Sequence, residues 1–319
     1  MDKLYVGIDL GGTNIKGGVV DRSGKVLRFD SIETEGERGR DHVLDRIALL
    51  VGKVRDAAGL APDSLAGVGI GSPGPLNIKQ GLIYSAPNLP GWENLPLAAE
   101  VQRRCGYPVV IENDANAASL AEAIAGAGKG TNCMIMLTLG TGIGGGIVLG
   151  GRVWHGADDI AAELGHVSIC HDGVRCNCGV QGCVEAYASA PATVRRAREA
   201  LAGGAKSTLS KKADKLTCED VFKAAALGDE VAQRVVADTI TYLAVAIGSL
   251  INIFNPDMIV LFGGMTNARD QLFVPLRREV AKRCFPIGAQ RCQIVHSELG
   301  EHAGVIGAAF AAMQQMKTA

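Results

Sequence analysis

A chain of 319 residues, 47% of them hydrophobic, is long enough to bury two cores of ordinary domain size around a cleft. Its 32 basic and 33 acidic residues nearly cancel, which excludes the broad positive field of a general nucleic-acid or anionic-membrane binder and points to a small-molecule partner. Nine cysteines, an odd number with three clustered, fit a metal site in a reducing compartment better than disulfides.

The N-terminus runs directly into an amphipathic strand bearing Asp9, unlike a signal peptide, so a cytoplasmic location is expected. Residues 5–9, 15–20 and 26–29 are strand-like and separated by turns, predicting a meander. Leu44, Ile47, Val51 and Val54 then repeat at helical intervals. Strands are expected at 67–70, 109–111, 134–139 and 147–149, and helices at 115–126 and 231–251, the second with Val235, Leu243, Ile247 and Ile251 on one apolar stripe. The apolar stretch from Leu243 to Phe262 is interrupted by Asn252, Asn255, Pro256 and Asp257, which a membrane span would not tolerate cheaply. Residues 257–262 read as a buried strand ending in Gly263-Gly264, and 303–313 as an Ala-rich terminal helix. Cys105, Cys133, Cys218, Cys284 and Cys292 read as scattered core thiols. The alternation is that of an α/β layered protein.

Two glycine turns match G-x-G-x-x-G, at Gly69/Gly71/Gly74 and Gly140/Gly142/Gly145, but neither is followed by the helix that a dinucleotide fingerprint needs. What remains is strand, glycine turn, strand, once over residues 7–20 and again over 137–149. Such a tip can aim backbone N–H groups at phosphate oxygens, or it can be an ordinary tight hairpin; its appearance twice favours a phosphate clamp.

The run from Glu163 to Glu185 carries Cys176, Cys178 and Cys183 as C-x-C-G-x-x-G-C, with His166 ten residues upstream. Three thiolates and an imidazole can close a tetrahedral shell around Zn2+, with Cys170 and His171 as rival ligands. Asp114 follows a strand and precedes an Ala-rich helix, a position that suits either an N-cap or a catalytic carboxylate.

Taken in order, Gly7-Ile8-Asp9-Leu10-Gly11-Gly12-Thr13, Glu112-Asn113-Asp114, Leu139-Gly140-Thr141-Gly142, Glu163-x-Gly165-His166 and the cysteine motif through Glu185 resemble the ROK family over the length of the chain. The segment Ser85 to Trp92 resembles its glucokinase branch. The resemblance implies an actin-like ATPase (ribonuclease H-like) fold of two α/β domains around a nucleotide and sugar cleft. The smaller domain is expected at residues 1–115, completed by a C-terminal helix at 303–319, and the larger, with the zinc loop, at 116–302. It implies an ATP-dependent kinase acting on the 6-hydroxyl of a hexose, with Asp114 as base and Gly74, Asn88, Asn113, Glu163, His166 and Glu185 around the sugar. Asp9 is expected to position Mg2+, and Gly11, Gly12, Thr13, Asn14, Gly140, Thr141, Gly142, Gly263 and Gly264 to meet ATP. His166, Cys176, Cys178 and Cys183 are implied to hold a structural zinc, and a homodimer is implied. Asn14 departs from the lysine common at that position, so Lys16, Mg2+ or backbone dipoles must stabilise charge there. Glucose is the sugar expected from the resemblance, with mannose, fructose, allose, N-acetylmannosamine and N-acetylglucosamine as alternatives, and the donor stays open between ATP and polyphosphate. A sugar-sensing repressor would need a helix-turn-helix before the first hairpin, for which no room is expected ahead of Tyr5.

Overall fold

The computed structural model describes residues 3–86 and 89–316. Branched apolar residues alternating with glycines build the opening meander of β1 (Leu4–Leu10), β2 (Asn14–Val20) and β3 (Val26–Glu33), followed by α1 (Arg40–Ala57). Next come β4 (Leu65–Ser72), three short strands β5 (Leu76–Asn77), β6 (Leu82–Ser85) and β7 (Glu93–Leu95), then α2 (Leu97–Cys105), β8 (Val109–Asn113) and α3 (Asp114–Ala125). The chain continues through β9 (Cys133–Leu139), β10 (Ile143–Leu149), β11 (Arg152–Val153), α4 (Glu185–Ala188), α5 (Ala190–Ala202), α6 (Cys218–Ala226) and α7 (Glu230–Phe254). It closes with β12 (Met258–Phe262), α8 (Asp270–Ala281), α9 (Pro286–Arg291), β13 (Gln293–His296) and α10 (Ala303–Gln315).

The first large sheet has the order β3-β2-β1-β4-β8 and the second β11-β10-β9-β12-β13. Both follow one plan, an antiparallel meander whose first strand continues into two parallel partners: β1 pairs β4 in parallel, and β9 pairs β12 likewise. Such crossovers need helices between the strands, and helices stand in the intervals before β4, β8, β12 and β13.

Two compact units result: residues 1–130, 146–162 and 298–319 form one, and 131–145 and 163–297 the other. The boundary therefore departs from that expected at 115/116. Helix α3 belongs with the first sheet because α10 lies against it so closely that a Cβ on Gly307 would fall 1.6 Å from the Ala117 carbonyl oxygen. The first unit, with this helix included, holds the greater share of the residues and is not the smaller one.

Within it the period-two alternation of β1 divides two packings. Gly7, with Gly69 of β4, lets α10 approach to backbone contact, a Cβ on either falling 1.8 Å from a carbonyl of that helix, while Ile8 on the opposite face meets Leu50 across Gly17. The predicted stripe of α1 (Leu44, Ile47, Val51 and Val54) is fully buried in this core, which also takes in Trp92 and Leu95 beside the small β5-β6-β7 sheet. In the second unit α7 is long and apolar enough to cross a membrane, and its stripe of Val235, Leu243, Ile247 and Ile251 is buried. Helices α5, α6 and α8 pack around it.

Candidate functional site

In the first unit the carboxyl ends of three parallel strands lie side by side, the usual ligand position of an open α/β sheet. Asp9 of β1 pairs with Gly71 of β4, which pairs with Glu112 of β8, and Ser72 pairs with Asn113. Gly71 lies close under the turn that follows β8, 3.7 Å separating the place of a Cβ on it from the Asp114 Cα, an ordinary contact distance. At the β8-to-α3 turn Asn113, not Asp114, is the N-cap. Its Oδ1 accepts from the backbone N–H groups of Ala115 at 3.0 Å and Asn116 at 3.1 Å, which leaves its amide nitrogen as the group available for a ligand. Asp114 is thereby relieved of capping and occupies the first helical position, where its Oδ1 accepts from the N–H of Ala115 at 2.7 Å and the helix dipole favours its negative charge.

Asp9 is mostly buried; burial raises its carboxyl above the ordinary value, and the charge of its cross-strand partner Lys16 opposes that rise. Gly304, the second residue of α10, stands so close that a Cβ there would lie 2.7 Å from the Asp9 carboxyl. A buried carboxylate with one partly compensating cation is a position that a further cation would relieve, which suits Mg2+. The adjacent tip is held open by Gly11 N–H donating to Asn14 O at 3.0 Å and Thr34 Oγ1 donating to Gly11 O at 2.7 Å. Gly12, Thr13 and Asn14 are exposed there. Gly74, expected beside the sugar, is required by its own backbone, with φ of 92° and a Cβ that would lie 2.1 Å from Ser85 O. Asn88 lies outside the described residues.

The second unit repeats the device. Gly140 N–H donates to Gly142 O at 3.0 Å, and the Thr138 hydroxyl accepts from Gly144 N–H at 3.0 Å. Gly263, at φ 106°, follows the parallel strand β12, and a Cβ on it would lie 2.5 Å from Leu139 O. Gly140, Thr141 and Gly264 line a cavity of about 570 Å3 with Thr217, Phe222 and Lys223. The last three were missed from sequence; the capping box of Thr217 and Asp220 marks where α6 starts but not what it faces.

The cysteine loop is closed by Cys176 N–H donating to Val180 O and Ile169 N–H to Gly182 O, both at 2.8 Å. Gly182, at φ 81°, passes Cys170 O so closely that its Cβ would lie 1.8 Å away. This brings one atom each of His166, Cys176, Cys178 and Cys183 within 4.8 Å of one another. A tetrahedral ion with ligands at about 2.3 Å for sulfur and 2.0 Å for nitrogen holds sulfurs about 3.8 Å apart and sulfur about 3.5 Å from nitrogen. The Cys178 and Cys183 sulfurs are 3.6 Å apart and Cys176 Sγ is 3.7 Å from His166 Nδ1, separations that such an ion would suit. Cys170 and His171 stand outside this group, His171 being paired with Asp172 at 2.8 Å. With Nδ1 turned to the sulfurs, His166 Nε2 faces the exposed Glu163 at 3.9 Å. Glu185 links loop and tip: Oε2 accepts from Ile143 N–H at 2.8 Å, and Cys176 Sγ lies 3.6 Å from Oε1.

The model of the ROK family matches residues 5–315. A glucokinase of Thermotoga maritima is 41% identical over 313 residues, covering 97% of each chain. A ROK hexokinase from Thermus thermophilus shares 34% identity at a TM-score of 0.87, over 99% of this chain and 100% of that one. A ROK family glucokinase from Streptomyces griseus, solved in complex with glucose and AMPPNP, shares 35% identity at a TM-score of 0.78, over 98% and 99%. The fold is the actin-like ATPase fold of those kinases, and the chain belongs to the ROK family.

Proposed function

We propose that this protein transfers the γ-phosphoryl group of ATP to the 6-hydroxyl of glucose. The observation that carries the reading is the β8-to-α3 turn, where Asn113 takes over the cap and leaves the Asp114 carboxylate at the end of a parallel strand, beside Asp9 and the first glycine tip. Likeness to glucokinases at 41% and 35% identity, one of them holding glucose and AMPPNP, supports both substrates.

Asp114 accepts the proton of the 6-hydroxyl as the sugar oxygen bonds to the γ-phosphorus and the bond from that phosphorus to the β-bridging oxygen breaks, releasing ADP. The Asn113 amide nitrogen donates to a neighbouring sugar oxygen. In the second unit Glu163 and Glu185 offer acceptors, and His166 Nε2 a donor, of the kind that suits sugar hydroxyls. His166, Cys176, Cys178 and Cys183 would hold zinc, whose contribution there would be rigidity of that loop. Asp9 would hold Mg2+ through water, and the ion when bound neutralises phosphate charge. In the first unit the N–H groups of Gly11, Gly12 and Thr13, and in the second those of Gly140, Thr141 and Gly142, suit phosphate oxygens, and within the second unit the cavity lined by Gly264, Phe222 and Lys223 suits the adenosine.

The test is a coupled ADP-release assay with ATP and Mg2+ over a panel of hexoses and N-acetylhexosamines, comparing the wild type with Asp114→Ala. Glucose should give the highest kcat/KM, and the variant should lose about 100- to 10,000-fold in kcat. No sugar-dependent turnover from folded, metal-loaded protein would overturn the reading.

A further inference from the structure

Glu112 has no part in the roles just assigned, yet only 2% of its side chain is exposed. A carboxylate at that depth requires partners for its charge and its lone pairs. Oε1 accepts from the backbone N–H of Asn113 at 3.0 Å and from Nδ2 of the buried Asn116 at 3.3 Å. Oε2 meets His155 Nε2 at 2.8 Å. Both donors to Oε1 belong to the turn that presents Asn113 and Asp114, and Asn116 also gives its N–H to the Asn113 cap. The carboxylate therefore ties strand end, cap and first helical turn together from beneath.

His155 reaches it from the segment after β11, in the same unit. The charged groups near the pair are Arg152 of β11, which lines a cavity of about 140 Å3 with Glu112, His155 and the amides Gln314 and Gln315 of α10, and Asp159. Asp159 is itself held in place, accepting from Ile78 N–H at 2.9 Å. Arg152 is exposed, so the imidazole is the ring that faces the buried oxygen.

We infer that His155 is a positioning residue, whose imidazolium holds the Glu112 carboxylate and through it fixes the turn that aims Asp114 at the sugar hydroxyl. This rests on the assignment of Asp114 as the base. Burial alone would lower the imidazole's pKa, but its hydrogen bond to Glu112 and the charges of Glu112 and Asp159 outweigh that and raise it above the ordinary 6.5. The pair is thus an ion pair below that raised value and loses the imidazole's charge as pH rises through it, leaving a hydrogen bond from a neutral ring to the carboxylate.

The experiment compares kcat of wild type and His155→Gln with glucose and MgATP at pH 6 to 9. Glutamine donates a neutral bond at every pH, and ionisation of ATP cancels in the ratio of the two rates. The ratio should be about 10 at pH 6 and fall toward about 1 by pH 9, with KM for ATP unchanged; small shifts of the turn are costly to proton transfer. A ratio constant across that range, or a wild-type rate in His155→Ala, would overturn the inference, since a purely structural pair would lower the melting temperature without reshaping the profile. Should His155→Ala fail to fold, the glutamine ratio alone decides. Asp114→Asn separates the two claims: retained activity there removes the base assignment, whereas an inactive Asp114→Asn with a flat ratio removes only the role of His155.

Discussion

Gly307→Ala tests whether α10 and α3 meet through backbone alone. The new Cβ would stand 1.6 Å from the Ala117 carbonyl oxygen and 2.2 Å from its carbon, where ordinary contact begins at 3.4 Å. The obstacle is main chain, which cannot rotate aside, so the helices must part by roughly 1.5 Å and lose close-packed contacts along their length. Overpacking costs about 1–3 kcal/mol when side chains can adjust and more when they cannot, against about 1 kcal/mol gained from alanine's helix propensity. The net expectation is a loss of about 2–4 kcal/mol, or a melting temperature lower by about 5–15 °C. Because α3 begins at Asp114, kcat should fall as well. Gly52→Ala is the matched control: it also lies within a helix, α1, but nothing stands within 4 Å of its Cβ, so the propensity gain should raise the melting temperature slightly. Thermal melts by circular dichroism, with the coupled assay beside them, read both effects. A Gly307→Ala protein as stable as the wild type would refute the packing argument, whatever its activity.

Gly264→Val should raise KM for ATP about 10-fold while leaving KM for sugar and the melting temperature unchanged, since its Cβ meets nothing within 4 Å and points into open space at the 570 Å3 cavity; equal changes in both KM values would count against an adenosine site there. Cys178→Ser, or treatment with a strong zinc chelator, should abolish stoichiometric zinc measured by mass spectrometry of the metal, and should raise KM for sugar at least about 10-fold through His166, with much less effect on KM for ATP. Purified, active protein without zinc would dispose of that role. Asp229 caps α7 and accepts from Ala232, Ser207 and Thr208; burial raises its pKa, but these bonds outweigh it and hold it at about 2, below the ordinary 3.8. With the folded value depressed, the stabilisation is present above about pH 4 and disappears as pH falls through 2. Asp229→Asn should therefore be less stable by about 1 kcal/mol in urea titrations at pH 7, and that gap should shrink to roughly a third at pH 2.5. An equal gap at both pH values would contradict the assignment.

Local chemistry in the chain was enough to determine the strands and helices that turn on periodicity: the stripe Leu44, Ile47, Val51 and Val54 faces the core, and the apolar run of α7 is buried as one helix. The same is true of the cysteine loop. The four residues that could hold a metal ion lie within eighteen residues of one another, and glycines at positions 179 and 182 supply the positive φ that brings them round, so the cluster and the loop's shape come from one short segment. Both glycine tips are likewise local features, written as strand, turn and strand.

Other features depended on parts of the chain that meet only after folding. Strands of two to four residues in the β5-β6-β7 sheet have too little length to show a period, and they form because Ile83 and Leu95 can join the core beside Trp92. Whether α3 closes the first unit or opens the second turns on Gly307 lying against Ala117, 190 positions away in the chain. Asp114 in sequence suits either a cap or a base, with its motif favouring the base; that Asn113 takes both cap bonds appears only in the folded turn. Glu112 stood in plain view inside a motif, but its partner His155 is 43 residues further along, and no spacing rule joins a strand end to a loop beyond the next sheet's hairpin. Turns and ligand loops are decided by torsions and contacts a few residues apart, whereas buried charge pairs and backbone-tight helix contacts exist only once tertiary packing has excluded water around them.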